Sequence, residues 1–261
     1  SLMVREKGYW GKVLPYEESM LINKHIREHH VDLHLETELE EILGDGNGNV
    51  KGVRTKEGKE IACEFVGLAI GVVPNIDFVK SSGIKTDKGI LVNEYLETNI
   101  PDVYAAGDCA QHQNPLSYRK PVEQVWYTAR MMGEVLAETL CGNKTAYCPG
   151  IWFNSAKFFD IEYQNYGWVF PDIEEHHTTF YWEHKHGKKA LRFVYDKNNG
   201  AVFGINAFGM RLRHEVCEQW IKERVPVNVA IENLNEARFD PEYYQHHEQE
   251  IQHAFNDFKH K

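Results

Sequence analysis

The most informative part of the sequence is Val103-Tyr104-Ala105-Ala106-Gly107-Asp108-Cys109-Ala110. Residues 103–106 are apolar or aromatic on both faces, which is typical of a strand buried in a parallel sheet. Gly107 and Asp108 follow at the carboxyl end of this predicted strand, where α/β sheets form their ligand crevices. Gly107 lets the backbone approach a ligand closely, and the Asp108 carboxylate can accept a hydrogen bond from a hydroxyl. The stretch therefore predicts a ligand contact at Gly107 and Asp108, with a Gly-Asp turn after a core strand as the alternative.

A second informative stretch, Gly71-Val72-Val73-Pro74-Asn75, lies earlier in the chain. It follows the apolar run Phe65 to Ile70, which predicts another strand buried on both faces. Gly71 and Pro74 are expected to end that strand.

Together the two stretches resemble the second half of the FAD-dependent pyridine nucleotide-disulfide oxidoreductases. The family pattern is a hydrophobic strand ending in Gly-x-x-Pro-Asn, then a strand ending in Tyr-Ala-x-Gly-Asp, and both occur here at matching spacing. The resemblance implies that Asp108 contacts the ribityl chain of FAD, and that Gly107, Gly71 and Pro74 belong to cofactor-binding segments. Many relatives have Arg where this chain has Val73, so no charged contact is expected at that position.

The resemblance implies a fold of class α/β plus α+β. A partial FAD/NAD(P)-binding three-layer domain would be followed by a C-terminal antiparallel-sheet-and-helix interface domain. Residues 1–70 would be the rear part of the NAD(P)-binding domain, 71–148 the returning segment of the FAD-binding domain, and 149–261 the interface domain. Eleven aromatic residues between positions 151 and 182 mark the change of composition at that last boundary.

The two glycine-rich βα turns that hold dinucleotide pyrophosphates in this family are missing from the sequence. The nearest string, Gly44-x-Gly46-x-Gly48, joins two predicted strands and indicates a hairpin turn. We therefore expect the chain to be the back part of a larger enzyme.

Local patterns predict further helices and strands. Helices are indicated by apolar residues spaced three and four positions apart and by acidic first turns. Strands and hairpins are indicated by alternating runs separated by turn residues. They predict strands at 2–5, 190–195 and 201–207, hairpins within 31–70, and helices at 17–30, 121–140, 211–224 and from Asp240-Pro241 onward.

Two sets of residues carry expectations about the cofactors. Arg5 follows the first predicted strand, where Arg suits the extra phosphate of NADP, whereas the neighbouring Glu6 would suit the ribose hydroxyls of NAD. We favour NADP. The helix predicted from Pro121 could direct its N-terminus at the flavin ring, which makes Glu123 and Gln124 candidate neighbours of the flavin.

Composition limits the classes of partner and setting. The 261 residues carry a formal net charge of −10 with a sequence pI near 5.8, which disfavours nucleic acid and anionic membranes as partners. No apolar stretch approaches the roughly 20 residues of a membrane helix, and no export signal is visible, so we expect a cytoplasmic protein. Five cysteines without CxxC spacing predict free thiols, and Cys109 is interpreted as a core residue.

Fourteen histidines raise the question of a metal site, especially His176-His177 with His184 and His186, and His246-His247 with His253. No HExxH motif occurs, and none of these clusters combines helical i, i+4 spacing with a clear carboxylate partner. The sequence therefore predicts no metal site.

The implied function is that of an FAD-dependent NAD(P)H oxidoreductase. Its parent enzyme would transfer hydride from NAD(P)H to the flavin and pass electrons to an unidentified acceptor, and this chain alone is expected to be incomplete and inactive. The alternative is a catalytically silent module that binds a second copy of itself, as a homodimer, or the missing N-terminal part of the enzyme. A serine hydrolase is disfavoured because no G-x-S-x-G elbow is present.

Overall fold

A computed structural model describes residues 1–116, 118–239 and 246–260. The strands in chain order are β1 (Leu2–Met3), β2 (Leu33–His34), β3 (Leu39–Gly44), β4 (Val50–Thr55), β5 (Glu60–Ala62), β6 (Ile90–Val92), β7 (Ala110–His112), β8 (Phe153–Phe158), β9 (Ile161–Gly167), β10 (His177–Glu183), β11 (Ala190–Asp196) and β12 (Val202–Phe208). The α-helices are α1 (Tyr16–Glu28), α2 (Trp126–Leu140), α3 (His214–Lys222), α4 (Val227–Glu232) and α5 (Glu248–Lys259).

The chain divides into two units. Unit 1 combines residues 1–69 with 155–261, and unit 2 comprises residues 70–154. Each unit has its own cluster of buried apolar side chains.

A five-stranded sheet in the order β10-β11-β12-β9-β8 dominates unit 1. β10, β11, β12 and β9 pair antiparallel, with Phe193 opposite Ile205 at the centre of the β11–β12 ladder. The turn between β11 and β12 contains Gly200 at φ +73°, a conformation that glycine adopts without steric cost. The strands predicted at 190–195 and 201–207 are confirmed as the β11–β12 hairpin.

Helix α1 packs on this sheet. Its acidic first turn at Glu17 and Glu18 suits the helix dipole, and the helix predicted at 17–30 is confirmed with slightly different ends. The side chains of this core come from α1 and its flanks and from the sheet: Leu14, Leu21, Ile22, Ile26, Leu33, Phe158, Ile161, Tyr163, Ala190 and Phe208. Burial of these side chains joins the first 35 residues of the chain to residues 158–208.

A buried polar network crosses the same interface. Arg192 on β11 donates from Nε to Glu18 Oε1 at 2.8 Å, and Asn206 on β12 donates from Nδ2 to Glu18 Oε2 at 2.7 Å. The Arg192 and Glu18 side chains are 2% and 0% exposed. Burial raises the pKa of Glu18 to about 6, and the Arg192 guanidinium opposes that rise. Because a buried charge is tolerated only with a partner, this network fixes how α1 sits on the sheet.

The rest of the N-terminal segment is made of short strands. β1 and β2 pair in parallel, and β3, β4 and β5 form an antiparallel sheet. The hairpin turn predicted at Gly44-x-Gly46-x-Gly48 is confirmed, with Gly46 and Gly48 at positive φ.

The buried strand predicted at Phe65 to Ile70 is wrong. Residues 65–76 have no regular secondary structure, and Phe65, Leu68 and Ile70 are 83%, 62% and 85% exposed. A strand buried on both faces needs neighbouring strands and a covering layer on each side. Among the described residues, no strand pairs with this segment.

Unit 2 has a smaller core. Its sheet is the parallel pair β6–β7, with Ile90 opposite Ala110. Helix α2 covers this sheet and contributes Met132, which is fully buried. The core consists of Ile76, Val79, Ile90, Val92, Leu96, Ala105, Ala110 and Met132.

The remaining helices partly match the predictions. The helix predicted at 211–224 is confirmed as α3. The helix start predicted at Asp240-Pro241 lies outside the described residues, and α5 begins at Glu248. Within the parts of the chain described above, no helix has both the length and the apolar character that a membrane span requires.

We expect Arg192→Met to destabilise the protein by about 3–5 kcal/mol at pH 7, because it leaves the Glu18 carboxylate buried without its cation. Urea unfolding followed by tryptophan fluorescence measures this. The matched control is Arg211→Met, which breaks the partly exposed Arg211–Glu162 pair and should cost less than about 1 kcal/mol.

The loss of unfolding free energy caused by Arg192→Met should be smaller at pH 5 than at pH 7. The folded-state pKa of Glu18 is already raised above its ordinary value of 4.5, and loss of Arg192 raises it further. A group with a raised folded-state pKa loses its stabilising contribution as pH rises through that pKa, so the variant is penalised at pH 7 and relieved on protonation. An equal deficit at both pH values would contradict this origin of the effect.

Candidate functional site

The Gly107–Asp108 turn connects an extended segment to β7. Residues 103–106 do not form the predicted regular strand: Tyr104 makes an isolated bridge with Glu97, and the Ala105 N–H donates to the Leu96 carbonyl at 3.1 Å. The segment pairs locally with residues 96–98 because the chain folds back on itself at residues 99–102. An extended segment followed by a turn is present, as predicted, but the segment does not form a regular strand.

Gly107 lies close to helix α2. Its φ is +82°, its N–H lies 3.3 Å from Met132 Sδ, and a Cβ built on it would lie 3.7 Å from Ala129 Cβ. Its carbonyl accepts a hydrogen bond from the Ala110 N–H at 3.0 Å, which closes the turn. The left-handed backbone explains why glycine stands at this position.

Asp108 projects from this turn and is exposed. Among residues 1–116, 118–239 and 246–260, its carboxylate has no hydrogen-bond or ion-pair partner. An unpaired carboxylate at the end of an extended segment is free to accept hydrogen bonds from a ligand hydroxyl, as the sequence predicts.

The helix predicted from Pro121 begins at Trp126 instead. Val125 is extended, with φ −133° and ψ 133°, and the Pro121 carbonyl accepts a hydrogen bond from the His112 N–H at 2.9 Å. Because residues 121–125 are held to β7 in this way, the helix starts after them. The prediction that Glu123 and Gln124 lie at the start of this helix is therefore wrong. Gln124 is half-buried.

Glu123 forms a buried ion pair with Arg119. Arg119 Nη1 donates to Glu123 Oε2 at 2.9 Å, and the two side chains are 6% and 4% exposed. Arg119 Nη2 also donates to the Pro149 and Gly150 carbonyls, and the guanidinium lies 5.2 Å from the centre of the Trp152 ring. Burial raises the pKa of the Glu123 carboxyl, and Arg119 opposes this rise. The pair ties residues 119–123 to the segment after α2.

A pocket of about 110 Å³ opens beside this ion pair. His112 and Tyr147 stack within its wall with ring centres 5.1 Å apart. Burial lowers the pKa of His112, so its ring is neutral at pH 7, and burial raises the pKa of Tyr147 to about 12. The pocket therefore offers a charged pair and two neutral polar groups.

The structure separates the predicted residues of unit 2 into two places. Glu123 lines the pocket with Arg119, His112 and Tyr147. Asp108 stands four residues before His112, at the other end of β7, which corresponds to roughly 13 Å along an extended chain. Sequence reasoning missed Arg119, His112 and Tyr147, because loop residues bring them together and no spacing motif marks them.

The Gly-x-x-Pro-Asn stretch is present but exposed. Gly71 has φ +107°, and no atom lies within 4 Å of a Cβ built on it. Val72 and Val73 are 73% and 85% exposed, and Pro74 is half-buried. Apolar side chains this exposed typically mark a surface for another polypeptide or a ligand.

Arg5 follows β1 in unit 1 and is exposed. The neighbouring Glu6 forms an ion pair with Lys12 at 3.0 Å, and the hydrogen bond from Lys12 lowers the pKa of Glu6. The carboxylate that would suit NAD is therefore engaged within the chain, while the Arg5 guanidinium faces solvent.

The prediction that the histidine clusters lack a carboxylate partner is wrong, because both have a carboxylate neighbour. Glu174 Oε2 lies 3.1 Å from His177 Nδ1, and Glu250 Oε2 lies 3.5 Å from His247 Nδ1. A third cluster, His25, His29 and Asp160, was missed, although the i, i+4 spacing of its histidines on a predicted helix was a readable signal.

Comparison with known proteins identifies the family. The profile of the pyridine nucleotide-disulphide oxidoreductases matches residues 3–133, half of the chain. The chain belongs to this family. Members of the pyridine nucleotide-disulphide oxidoreductases use FAD and NAD(P)H, and the predicted resemblance is confirmed.

Individual relatives cover parts of the chain. A nitrite reductase [NAD(P)H] of Bacillus subtilis is 36% identical over 64% of the chain, and a rubredoxin-NAD(+) reductase of Acinetobacter baylyi is 35% identical over 52%. The chain spans 18% and 33% of the lengths of these two oxidoreductases.

A solved structure shares the fold over nearly all of the chain. The NAD-dependent persulfide reductase from A. fulgidus superimposes with a TM-score of 0.78 at 22% identity, covering 99% of this chain and 50% of that chain. The fold is therefore that of FAD/NAD-binding reductases with mixed α/β content.

Gly107→Ala should destabilise the protein by about 1–3 kcal/mol, because alanine at φ +82° is strained. Gly133→Ala is the matched control in the same unit. Gly133 is exposed within α2 with no atom within 4 Å of its Cβ position, so alanine should stabilise by up to about 1 kcal/mol. Urea unfolding of both variants measures the two signs, and a stabilising Gly107→Ala would contradict the assigned turn.

Proposed function

We propose that the chain is part of an FAD-dependent NAD(P)H oxidoreductase and that Asp108 contacts the ribityl chain of its FAD. The observation that carries the proposal is an exposed, unpaired carboxylate directly after the left-handed Gly107, in the sequence pattern that the family uses for this contact. A ribityl hydroxyl would donate to this carboxylate without displacing an internal partner of the described chain.

The Gly107–Asp108 turn suits a bound ligand because its carboxylate is exposed and its backbone is held by a neighbouring helix. Gly107 has no side chain to obstruct a ligand, and its packing against α2 holds the turn in place. Elsewhere in unit 2, the exposed side chains of Ile70, Val72 and Val73 offer apolar surface. When bound, FAD would supply the hydride-accepting chemistry, and the protein would supply binding, orientation and electrostatics.

We also propose which domain each segment of the chain belongs to. Residues 1–70 would belong to the NAD(P)-binding domain, 71–148 to the FAD-binding domain and 149–261 to the interface domain. The chain spans a third or less of the two curated relatives named above, and the apolar side chains exposed at Phe65 to Val73 would be covered by further polypeptide. The relatives' names differ in acceptor, so the proposal stops at the removal of hydride from NAD(P)H.

Cofactor preference follows from Arg5. Its guanidinium is exposed beside β1, and Glu6, the competing carboxylate, is paired with Lys12. Arg matches the geometry of a phosphate group through paired N–H donors. We therefore propose NADPH as the preferred hydride donor.

Asp108→Asn is the test of the flavin contact. The polypeptide encoded by the reading frame that contains residues 1–261 is purified, and its bound FAD is measured by visible absorbance. We expect FAD in the wild type and an affinity at least about tenfold lower in Asp108→Asn, since hydrogen bonds to charged groups contribute about 1.5–3 kcal/mol. Asp102→Asn is the matched control, because Asp102 is another exposed aspartate of unit 2.

Two outcomes would contradict the proposal. One is wild-type affinity in Asp108→Asn. The other is a colourless wild-type protein that self-associates through Ile70, Val72 and Val73, which would favour the oligomerisation module instead.

Arg5→Ala should change the choice of hydride donor. We expect kcat/KM for NADPH to fall at least about tenfold with an artificial electron acceptor while kcat/KM for NADH changes little, because a charged contact to the 2′-phosphate is lost. Arg27→Ala removes another exposed guanidinium of unit 1 and should leave the NADPH/NADH ratio unchanged. A ratio unaltered by Arg5→Ala would remove Arg5 from the cofactor site.

A further inference from the structure

Three side chains of unit 1 converge beside helix α1. His25 and His29 lie one turn apart on α1, and Asp160 lies in the turn between β8 and β9. Asp160 Oδ1 is 2.5 Å from His25 Nε2 and 3.0 Å from His29 Nε2. One ligand atom from each residue lies within 4.8 Å of the other two.

His25 is the unusual member of this cluster. Its side chain is 1% exposed, yet neither ring nitrogen has a hydrogen-bond partner in the described chain. Although Asp160 Oδ1 is close to Nε2, the contact does not have hydrogen-bond alignment. A buried imidazole is ordinarily paired, so its free nitrogen beside a carboxylate and a second imidazole points to a ligand.

We propose that His25, His29 and Asp160 form a binding site for a divalent late first-row metal ion such as zinc. Two histidines at i, i+4 present their rings on one face of a helix, which is a frequent arrangement in zinc sites. Imidazole nitrogen and carboxylate oxygen are both zinc ligands, and three protein ligands leave a fourth position for water.

The surroundings fit this role. Lys188 Nζ contacts the other oxygen of Asp160, Oδ2, at 3.1 Å, so Oδ1 remains for the ion. The Glu28 carboxylate lies 3.6 Å from His25 Nδ1, on the side of the ring away from Asp160. A carboxylate near that nitrogen favours the tautomer in which Nε2 carries the free lone pair.

Ring packing fixes the second histidine. Phe159 stacks on His29 with ring centres 4.2 Å apart and an interplanar angle of 8°. At zinc–ligand distances of about 2.0–2.1 Å, tetrahedral ligand atoms are roughly 3.3 Å apart. The distances from Asp160 Oδ1 to the two histidine nitrogens are shorter than this, but by less than about 1 Å. The Asp160 side chain is 55% exposed and can move outward by that distance.

The other two clusters are poorer sites. In the cluster of His184, His247 and Glu250, Lys189 Nζ lies 2.8 Å from His247 Nε2 and occupies that ring nitrogen. Glu174, His176 and His177 are close in sequence at the start of β10 and lack helical spacing. Variants in these clusters therefore serve as controls.

Zinc titration of the purified, untagged chain tests the proposal. We expect the wild type to bind one tight equivalent by calorimetry and to show a higher unfolding temperature with zinc, since ions that bind only the folded state stabilise it. Asp160→Asn and His29→Ala should each weaken this binding at least tenfold and lose the zinc-dependent shift. Asp160→Asn preserves the shape of the side chain, and the unfolding temperature without zinc verifies its fold.

The controls are His176→Ala and His247→Ala, which should keep the tight equivalent. Failure of the wild type to bind zinc, wild-type affinity in Asp160→Asn, or loss of the tight equivalent in either control would overturn the proposal. The outcome is independent of FAD, because the cluster belongs to unit 1 alone and its readouts require no flavin.

Discussion

The buried ion pair between Glu18 and Arg192 holds helix α1 against the C-terminal sheet of unit 1. It joins residues 174 positions apart in the chain and is completed by the Asn206 amide. Two fully buried charges are stable only when each faces the other and their remaining polar atoms are paired. Helix α1 and the C-terminal sheet must therefore assemble together.

This constraint explains the organisation of the chain. Because residues 1–69 and 155–261 form one unit, residues 70–154 fold around a separate core. In that second unit, the turn at Gly107 packs on α2 and leaves Asp108 in solvent. The carboxylate is thus placed by a rigid backbone feature and not by side-chain pairing.

The sequence predicts those helices and turns whose conformation is set by residues close together in the chain. Helix α1, the β3–β4 turn and the β11–β12 hairpin follow from apolar periodicity and from glycines at positive φ. The Phe65 to Ile70 run shows the limit of this reasoning. Its apolar composition indicates a buried strand, but burial requires pairing partners, which composition alone does not reveal.

The candidate sites also contain residues that the sequence predicts and residues that it does not. Gly107 and Asp108 were predicted because a turn motif is continuous in sequence. The Arg119–Glu123 pair with His112 and Tyr147 was not predicted, since its members come from the end of β7, from loops and from the extended segment before α2. The His25–His29–Asp160 cluster lies between these cases: its helical spacing is readable, whereas the third member arrives from a distant β-turn.

The most direct measurement is a crystal structure of the protein loaded with FAD. We expect an Asp108 carboxylate oxygen at about 2.5–3.0 Å from a ribityl hydroxyl, with Gly107 still left-handed beside α2. An FAD whose ribityl chain lies away from Asp108, or an Asp108 carboxylate occupied by a protein cation, would contradict the proposed site.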